Sequence, residues 1–281
     1  MAVIIISSNS LPKAAQIAAE TAKALNYRCL GRELLREVGE KYGVSEEKLH
    51  KTLDELPSLL GVNARAHALY VAYIEEAVLA ELSQDRVVCH GLAAHLYVRG
   101  VSHAFKVRVL ADPSELIRTM VREKGVSPEK AAKDAKHEEA LRSRWSLDCY
   151  RADEATPSLY DLVIDLSGMA PEEARMAPEE AVRIIIETSS HPKFKPMTYS
   201  VKSINDMELA SRVRAVLLDH FPDVIVQADG EAVVVETTAV PREKGKKVEA
   251  IEKLVRSLPG VGHVEVHVAN DIIRQAAESF R

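Results

Sequence analysis

The chain has few cysteines, no long apolar run and no large excess of charge. Its 281 residues include three isolated cysteines, Cys29, Cys89 and Cys149, so we expect no disulfide framework, a reducing cytoplasm, and thiols buried as small hydrophobes. A formal net charge of −5 gives no overall attraction to nucleic acid or to an anionic membrane surface, so we expect neither as a partner. No apolar run approaches the length of a membrane span, which predicts that no segment inserts into a membrane.

Glycine is missing from the place where nucleotide-binding α/β proteins commonly carry it. The chain opens with the apolar run 3–6, the polar turn 7–10 and a helical pattern that continues to Leu25. A strand, a short turn and a helix in this order are typical of phosphate sites. Glycines in such a turn let the backbone approach phosphate groups with positive φ. Here Leu11 and Pro12 follow the turn, and Pro12 has no N–H to donate.

Two interpretations of this turn stay open. As an anion site, it offers the hydroxyls of Ser8 and Ser10, the positive end of a helix dipole and the Lys13 amine. As a capped helix, it has Ser10 as N-cap, Pro12 in the first turn and Lys13 in solvent. A helix dipole contributes about 0.3–2 kcal/mol, whereas a micromolar ligand needs about 8 kcal/mol. We favour the capped helix and expect only weak binding of Mg-ATP.

Residues 1–187 alternate between strand-like and helix-like segments. Short apolar runs of this kind are typical of parallel strands that helices cover on both faces. They are "AVIIIS" at the start, "YRCL" (27–30), "RVVCHG" (86–91), "AFKVRVLA" (104–111) and "YDLVIDLS" (160–167). Helical patterns separate them, including those at 32–42, 45–56 and 64–83. The alternation predicts an α/β domain with a doubly wound, parallel five-stranded sheet.

The pattern changes after residue 187. Residues 188–203, "TSSHPKFKPMTYSVKS", contain two prolines and no acid, and they predict a linker. A helix at 206–220 follows, then two alternating strands joined by Asp229-Gly230, a helix at 244–258 and the strand "HVEVHV". This order of α-β-β-α-β predicts a small α+β domain over residues 204–281.

Four segments in one order resemble a known family. They are "IIISSNSLPKAAQIAAETAKALNYRCLGRELL", "VVCHGLAAHLYVRG", "FKVRVLADPSELIRTMVREKGVSPEKA" and "EEALRSRW…TPSLYDLVIDLSGMAPEEA". Together they are similar to the cytidylate kinase-like family, a branch of the P-loop nucleoside monophosphate kinases. The resemblance covers nearly all of residues 1–187 and implies a P-loop kinase-like fold with a helical lid over about 113–158. It also implies nucleotide binding and, if the protein is active, phosphoryl transfer from Mg-ATP to a nucleoside monophosphate.

The resemblance assigns site residues to positions of this chain. Roles in phosphoryl transfer fall to Lys13 in the first turn and to the lid residues Arg118, Arg122, Arg142 and Arg144. Nucleotide contacts fall to Ser8, Ser10, Arg32, Glu33, Gly91 and Glu139. The arginines equally fit a solvated face beside neighbouring glutamates. No metal ligand is assigned, because Asp112 before Pro113 fits an N-cap better than a magnesium ligand.

The chain departs from the family's pattern where phosphate would bind. Ala15 stands at the position of the basic residue that normally ends the loop, and Gly31 stands in place of an acid. Leu92 follows Gly91 where the kinases tend to have an arginine. These departures favour an alternative hypothesis, a catalytically inactive sensor or scaffold with a kinase fold. The retained lid arginines favour the kinase, and the sequence does not decide whether the protein is an enzyme.

The last part of the chain resembles a BON domain. The match covers residues 204–270 and depends on the spacing of helix, hairpin, helix and "LPGVGHVEVHV". It implies binding of a partner protein or an apolar ligand. His263, Glu265 and His267 alternate with valines, which is typical of an exposed strand face more than of a metal site. A homo-oligomer formed through the helix at 64–83 is compatible with either hypothesis.

Overall fold

A computed structural model of the protein describes residues 3–58, 61–167 and 178–271. Strands and helices alternate over the first part of the chain. They are β1 (Val3–Ser8), α1 (Leu11–Leu25), β2 (Arg28–Leu30), α2 (Leu34–Tyr42), α3 (Glu46–Asp54), α4 (Ala64–Leu82), β3 (Val87–His90), α5 (Ala94–Tyr97), β4 (Ala104–Leu110), α6 (Pro113–Lys124), α7 (Pro128–Tyr150), β5 (Leu162–Asp165) and α8 (Pro178–Ser189). The five strands are parallel in the order β2-β3-β1-β4-β5, which confirms the predicted sheet.

Helices bury both faces of this sheet because successive side chains of a strand point to opposite sides. Val3 and Ile5 of β1 belong to the core beneath α2, α4 and α5. Ile4 and Ile6 belong to the core beneath α1 and α8. At the carboxyl end of β1 the apolar residues stop, and the polar turn 7–10 begins there.

Helices α6 and α7 occupy the region predicted to be the lid. Asp112 caps α6 by accepting a hydrogen bond from Ser114 N at 2.9 Å, as its position before Pro113 predicts. The last turns of α7 return to the core, where Trp145 is 4% exposed. Trp145 Nε1 donates to Thr52 O of α3 at 2.7 Å, so this end of α7 is anchored to α3 in the first unit, the part of the chain that contains the five-stranded sheet.

The second unit contains α9 (Thr198–Leu218), β6 (Ile225–Asp229), β7 (Ala232–Ala239), α10 (Lys244–Arg256) and β8 (His263–Asn270). Its described residues form a three-stranded sheet in the order β6-β7-β8. β6 and β7 are antiparallel, whereas β7 and β8 are parallel. The predicted α-β-β-α-β order is confirmed. Its core includes Val213, Val233 and Ile251, which are fully buried.

The predicted linker at 188–203 contains the ends of two helices, because α8 extends to Ser189 and α9 already begins at Thr198. Local contacts stabilise this early start: Ser200 Oγ accepts a hydrogen bond from Met197 N at 3.1 Å. Between the helices, Phe194 is buried and its ring lies 4.5 Å from that of Phe105, centroid to centroid. The segment is therefore attached to the core of the first unit.

Two further predictions concern the burial of the cysteines and the absence of a membrane span. Cys89 is buried as expected, but Cys29 is exposed and Cys149 is half-buried. Cys29 differs because β2 is an edge strand of the sheet. Among the helices that the structure describes, none combines the length and the apolar character needed to cross a bilayer.

Helix α9 joins the two units by packing along α4. Ala72 of α4 lies in the core of the second unit together with Leu209 and Val213 of α9. Nearby, the Glu75 carboxylate of α4 accepts hydrogen bonds from Arg214 Nη1 at 3.1 Å and from Tyr150 OH at 3.2 Å. Burial raises the pKa of Glu75, and the Arg214 charge opposes that rise.

We expect Arg214→Met to lower the free energy of unfolding by about 2 kcal/mol, somewhat less than the loss of one partner in a fully buried pair. Because the Arg214 charge opposes the rise in the pKa of Glu75 above 4.5, the folded variant without this charge binds a proton more tightly than the folded wild type does. The loss should therefore grow as the pH rises above 4.5 and shrink as it falls toward that value. Urea unfolding across this range measures it, with the exposed Arg256→Met as control; a loss independent of pH would contradict the assignment.

Candidate functional site

A narrow cleft lies at the carboxyl ends of β1 and β3, the edge at which open α/β sheets bind ligands. Its lining includes Ser7, Ser8, Leu11, Arg32, His90, Gly91, His95, Arg142, Trp145 and Glu154. Counted together with the open solvent at its mouth, the cleft measures ≈ 570 Å³, but it has room for only a few water molecules at its centre. A nucleotide would have to widen the cleft to enter it.

The turn after β1 uses its own polar groups to cap α1. Ser10 N donates to Ser8 Oγ at 3.0 Å, and Lys13 N donates to Ser10 Oγ at 3.4 Å. Ala14 N donates to Ser10 O at 3.0 Å, and Pro12 has no N–H. Ser10 is the N-cap that the sequence predicts. Backbone donors that would hold a phosphate in a glycine-rich loop are thus paired within the turn.

The Lys13 side chain is paired as well. Its Nζ lies 2.8 Å from Glu115 Oε1 of α6, and 15% of the side chain is exposed. Asn9 Oδ1 accepts a hydrogen bond from Ala111 N at 2.8 Å, which attaches the turn to the end of β4. The geometry matches the capped-helix interpretation, except that Lys13 forms an ion pair where solvation was expected.

Arg32 and Gly91, two of the predicted nucleotide contacts, line the cleft, and the predicted contact Glu33 bonds to Gly31 next to Arg32. Arg32 Nε donates to Gly91 O at 3.0 Å, and its two Nη atoms bind the Asp54 carboxylate at 2.7 and 2.6 Å. Gly91 has a φ of +69°, a left-handed conformation that favours glycine. Because Asp54 already binds both ends of the guanidinium, the attraction of Arg32 for another anion is reduced.

Gly31 makes room for the side chains of His90 and Glu33. Gly31 N donates to Glu33 Oε1 at 2.7 Å. A Cβ at this position would lie 2.6 Å from His90 Nε2 and 2.6 Å from Glu33 Oε2. Burial lowers the pKa of His90, against the opposing effect of the Glu33 charge. The glycine that replaces the family's acid is therefore coupled to a histidine and a glutamate that fill the space.

The structure brings Arg142, of the four predicted lid arginines, to the cleft. Its Nη2 lies 3.4 Å from Asn9 O and its Nε lies 3.4 Å from Glu154 Oε1. The others, Arg118, Arg122 and Arg144, are exposed on α6 and α7. Glu139 is exposed on α7 and lines, with Arg142, a separate depression between these two helices. Joining all four arginines around one anion would require α6 and α7 to move.

Sequence reasoning missed a buried arginine beneath the cleft. Arg108 of β4 is 4% exposed, its Nη1 donates to Ser7 Oγ at 2.7 Å, and it lies 3.5 Å from Glu154 Oε1. Ser7 and Arg108 are paired residues of neighbouring strands. A signal was present: Arg108 interrupts the apolar strand "AFKVRVLA", and a buried arginine needs a polar partner.

His95 and Tyr160 enclose Arg108. Their rings stack with centroids 5.2 Å apart, and Tyr160 OH donates to Glu154 O at 2.8 Å. Burial, together with the charges of Arg108 and Lys106, lowers the pKa of His95 to about 3. His95 is therefore neutral at physiological pH and adds no charge to the cleft.

Over the part of the chain that the structure describes, no three His, Cys, Asp or Glu side chains group as a metal site. His263, Glu265 and His267 lie on the exposed face of β8. A magnesium-bound triphosphate needs converging backbone donors and a cation at the turn. In this conformation Ser10 N and the Lys13 amine are paired with Ser8 and Glu115, so the turn does not fit Mg-ATP.

Comparison with known proteins assigns the family. Residues 3–168, more than half of the chain, match the model of the cytidylate kinase-like family, and the chain belongs to that family. Together with its five-stranded parallel sheet, this membership defines a nucleotide-binding, P-loop kinase-like fold. No curated protein matches the chain significantly.

Solved structures resemble part of the chain at low identity. A crystal structure of an uncharacterized protein from Eubacterium ventriosum has a TM-score of 0.48 and 16% identity, over 68% of this chain and 100% of that chain. Shikimate kinase from Acinetobacter baumannii in complex with shikimate has a TM-score of 0.37 and 14% identity, over 68% of this chain and 97% of that chain. These likenesses are too distant to assign a substrate.

We expect Gly31→Ala to lower the free energy of unfolding by about 1–3 kcal/mol, because the new methyl group would displace His90 and Glu33. Adding His90→Ala should recover part of this loss in a double-mutant cycle measured by urea unfolding. Gly245→Ala on α10 is the matched control, since its Cβ would meet no atom within 4 Å, and it should be neutral or stabilising. An equal loss with and without His90→Ala would show that His90 is not the obstacle.

Proposed function

We propose that this protein binds a nucleoside phosphate in the cleft and serves as a sensor or scaffold, with weak or no phosphoryl transfer from ATP. The observation that carries the proposal is the paired state of the first turn. Ser10 N and Lys13 N donate to serine oxygens, and Lys13 Nζ pairs with Glu115. These contacts would have to break before the turn could hold a triphosphate.

The magnitudes support weak ATP binding. Breaking a hydrogen bond in the turn costs about 0.5–1.5 kcal/mol of binding free energy, and the helix dipole contributes only about 0.3–2 kcal/mol to anion binding. Micromolar affinity needs about 8 kcal/mol, while Ala15 supplies no cation and Pro12 no donor. The affinity of the cleft therefore has to come from its other wall, where Arg32, Gly91 and Arg142 lie.

A second candidate is an active nucleoside monophosphate kinase. Family membership and the position of Arg142 at the cleft favour it. Mg-ATP would then lie over Ser8, Ser10 and Lys13, and the acceptor nucleotide near Arg32, Glu33 and Gly91. Closure of α6 and α7 would bring Arg118, Arg122, Arg144 and Glu139 toward the phosphates, as lids of such enzymes do. This arrangement requires Lys13 to leave Glu115.

For the rest of the chain we propose a division into residues 1–187, a connection at 188–203 and a BON-like unit at 204–281. The separate sheet and core of the second unit support this division. Its role would be to bind a protein partner or an apolar ligand. Ile225 of β6 is 58% exposed beside Glu236 of β7, which gives its sheet an open, partly apolar face.

Calorimetric titration with CMP and with Mg-ATP, followed by a coupled ADP-release assay, tests the proposal. We expect CMP to bind measurably, Mg-ATP to bind with a Kd above about 1 mM, and ADP release to stay at background. Arg142→Ala should weaken CMP binding by about tenfold because a charge-assisted contact is lost. Arg183→Ala, exposed on α8 and paired with Glu180, is the control. A micromolar Kd for Mg-ATP together with turnover would support the active kinase. No affinity for either nucleotide would contradict both candidate functions.

Rebuilding the loop tests whether the turn is what limits ATP binding. We expect the triple variant Leu11→Gly, Pro12→Gly, Ala15→Lys to tighten Mg-ATP binding by about tenfold or more, because it restores backbone freedom, one N–H and a cation. Leu11→Gly with Pro12→Gly alone serves as the control for the added charge. Calorimetry on folded variants measures the effect. Unchanged affinity in the triple variant would place the limitation outside the turn.

A further inference from the structure

We propose that the Glu154 carboxylate is an internal anion that fills a phosphate subsite of the cleft, and that a phosphate monoester binds Arg108 and Arg142 by displacing it. This inference rests on the proposed function of the cleft, to which it adds a buried subsite and a built-in competitor. Arg108 comes from strand β4, Arg142 from α7 and Glu154 from the segment after it, so the charged groups of the subsite lie outside the turn that follows β1.

Two guanidinium groups face one carboxylate at this point. Glu154 Oε1 lies 3.5 Å from Arg108 Nη1 and 3.4 Å from Arg142 Nε. The exposed fractions are 5% for Arg108, 22% for Arg142 and 11% for Glu154. These three groups together carry one excess positive charge in a site that is largely removed from water, and such a charge attracts an anion strongly; the partly exposed Asp153 carboxylate beside Arg108 offsets part of it.

The arginine donors are incompletely used. Both ion-pair distances exceed the roughly 2.7–2.9 Å of a charge-assisted hydrogen bond. Arg142 Nε is buried and makes no hydrogen bond within the described part of the chain. A phosphate group presents three oxygens in a geometry that two guanidinium groups can bind closely. A single carboxylate placed between the two arginines satisfies neither of them fully.

The backbone of Glu154 is fixed, and its side chain borders the cleft. Glu154 N donates to Ser146 Oγ at 3.0 Å, and its carbonyl accepts from Tyr160 OH at 2.8 Å. The side chain borders the cleft beside Arg142 and Ser7. A rotation of the carboxylate would therefore expose both arginines to the cleft without unfolding the segment that carries it.

The other arginine of the cleft is a weaker candidate for the same ligand. Both Nη atoms of Arg32 bind Asp54 at 2.7 and 2.6 Å, in the bidentate geometry that is strongest for arginine. Displacing Asp54 would break two short bonds, whereas displacing Glu154 breaks two long contacts. The phosphate group is thus expected beside Ser7, and the rest of the ligand toward His90 and Gly91.

The test uses the full chain and its single tryptophan, Trp145, which lines the cleft and reports binding by fluorescence. Inorganic phosphate, CMP and cytidine are titrated into wild type, Glu154→Gln, Glu154→Asp and Arg142→Gln. We expect Glu154→Gln to tighten the binding of phosphate and of CMP by about tenfold and Glu154→Asp to tighten it less. Arg142→Gln should weaken the binding of both ligands by about tenfold. The affinity for cytidine, which has no phosphate group, should be the same in all variants. Glu138→Gln, an exposed partner of Lys124 on α7, is the control and should match wild type.

The outcomes separate this inference from the function on which it rests. Tighter phosphate binding in Glu154→Gln without any CMP binding would support the phosphate subsite and contradict the proposal that the cleft binds a nucleotide. A CMP affinity that is the same in wild type and in both Glu154 variants would overturn the subsite and leave the nucleotide proposal standing. Loss of cooperative unfolding in Glu154→Gln would also overturn it, because a carboxylate that a ligand displaces cannot be essential for folding.

Discussion

A helix that begins beside a ligand site needs partners for its first N–H groups, and in this protein serine side chains provide them. Ser8 and Ser10 bind the backbone donors that a phosphate would bind in a glycine-rich loop. Helix α1 is consequently complete without a ligand, and Ala14 and Ile17 pack into the core beneath the sheet. The cap thus stabilises the fold and, through the same contacts, competes with a triphosphate.

The same relation between stability and binding recurs around the cleft. Four cations that the fold places near it already have carboxylate partners: Lys13 with Glu115, Arg32 with Asp54, and both Arg108 and Arg142 with Glu154. An anion that enters gains only the difference between its own contacts and those it displaces. The pair with the longest contacts sets the place where that difference is largest. Selectivity for phosphate then depends on how loosely Glu154 is held.

Local patterns predicted what local forces decide. The apolar runs gave the five strands, because strands covered on both faces must be apolar, and Ser10 and Asp112 were correct N-caps. The cleft required more than local rules. Ser7, Arg108 and Glu154 meet only after the sheet has formed. Arg142 and Arg144 differ by two positions, about 200° around a helix, so a count of lid arginines could not tell which one enters the cleft.

The anchoring of α7 decides which parts of the site can separate. Trp145 is fixed to Thr52 of α3, and Tyr150 is bonded to Glu75, which Arg214 of the second unit also binds. If α6 and α7 open, the hinge therefore lies N-terminal to Trp145. With a hinge between Arg142 and Trp145, Arg142 would travel with the moving part, whereas Glu154, held by Ser146 and Tyr160, would stay. Such an opening would part Arg142 from Glu154, so widening the cleft and freeing this arginine for phosphate are one motion, whereas Arg108 is freed only when the Glu154 side chain rotates away from it.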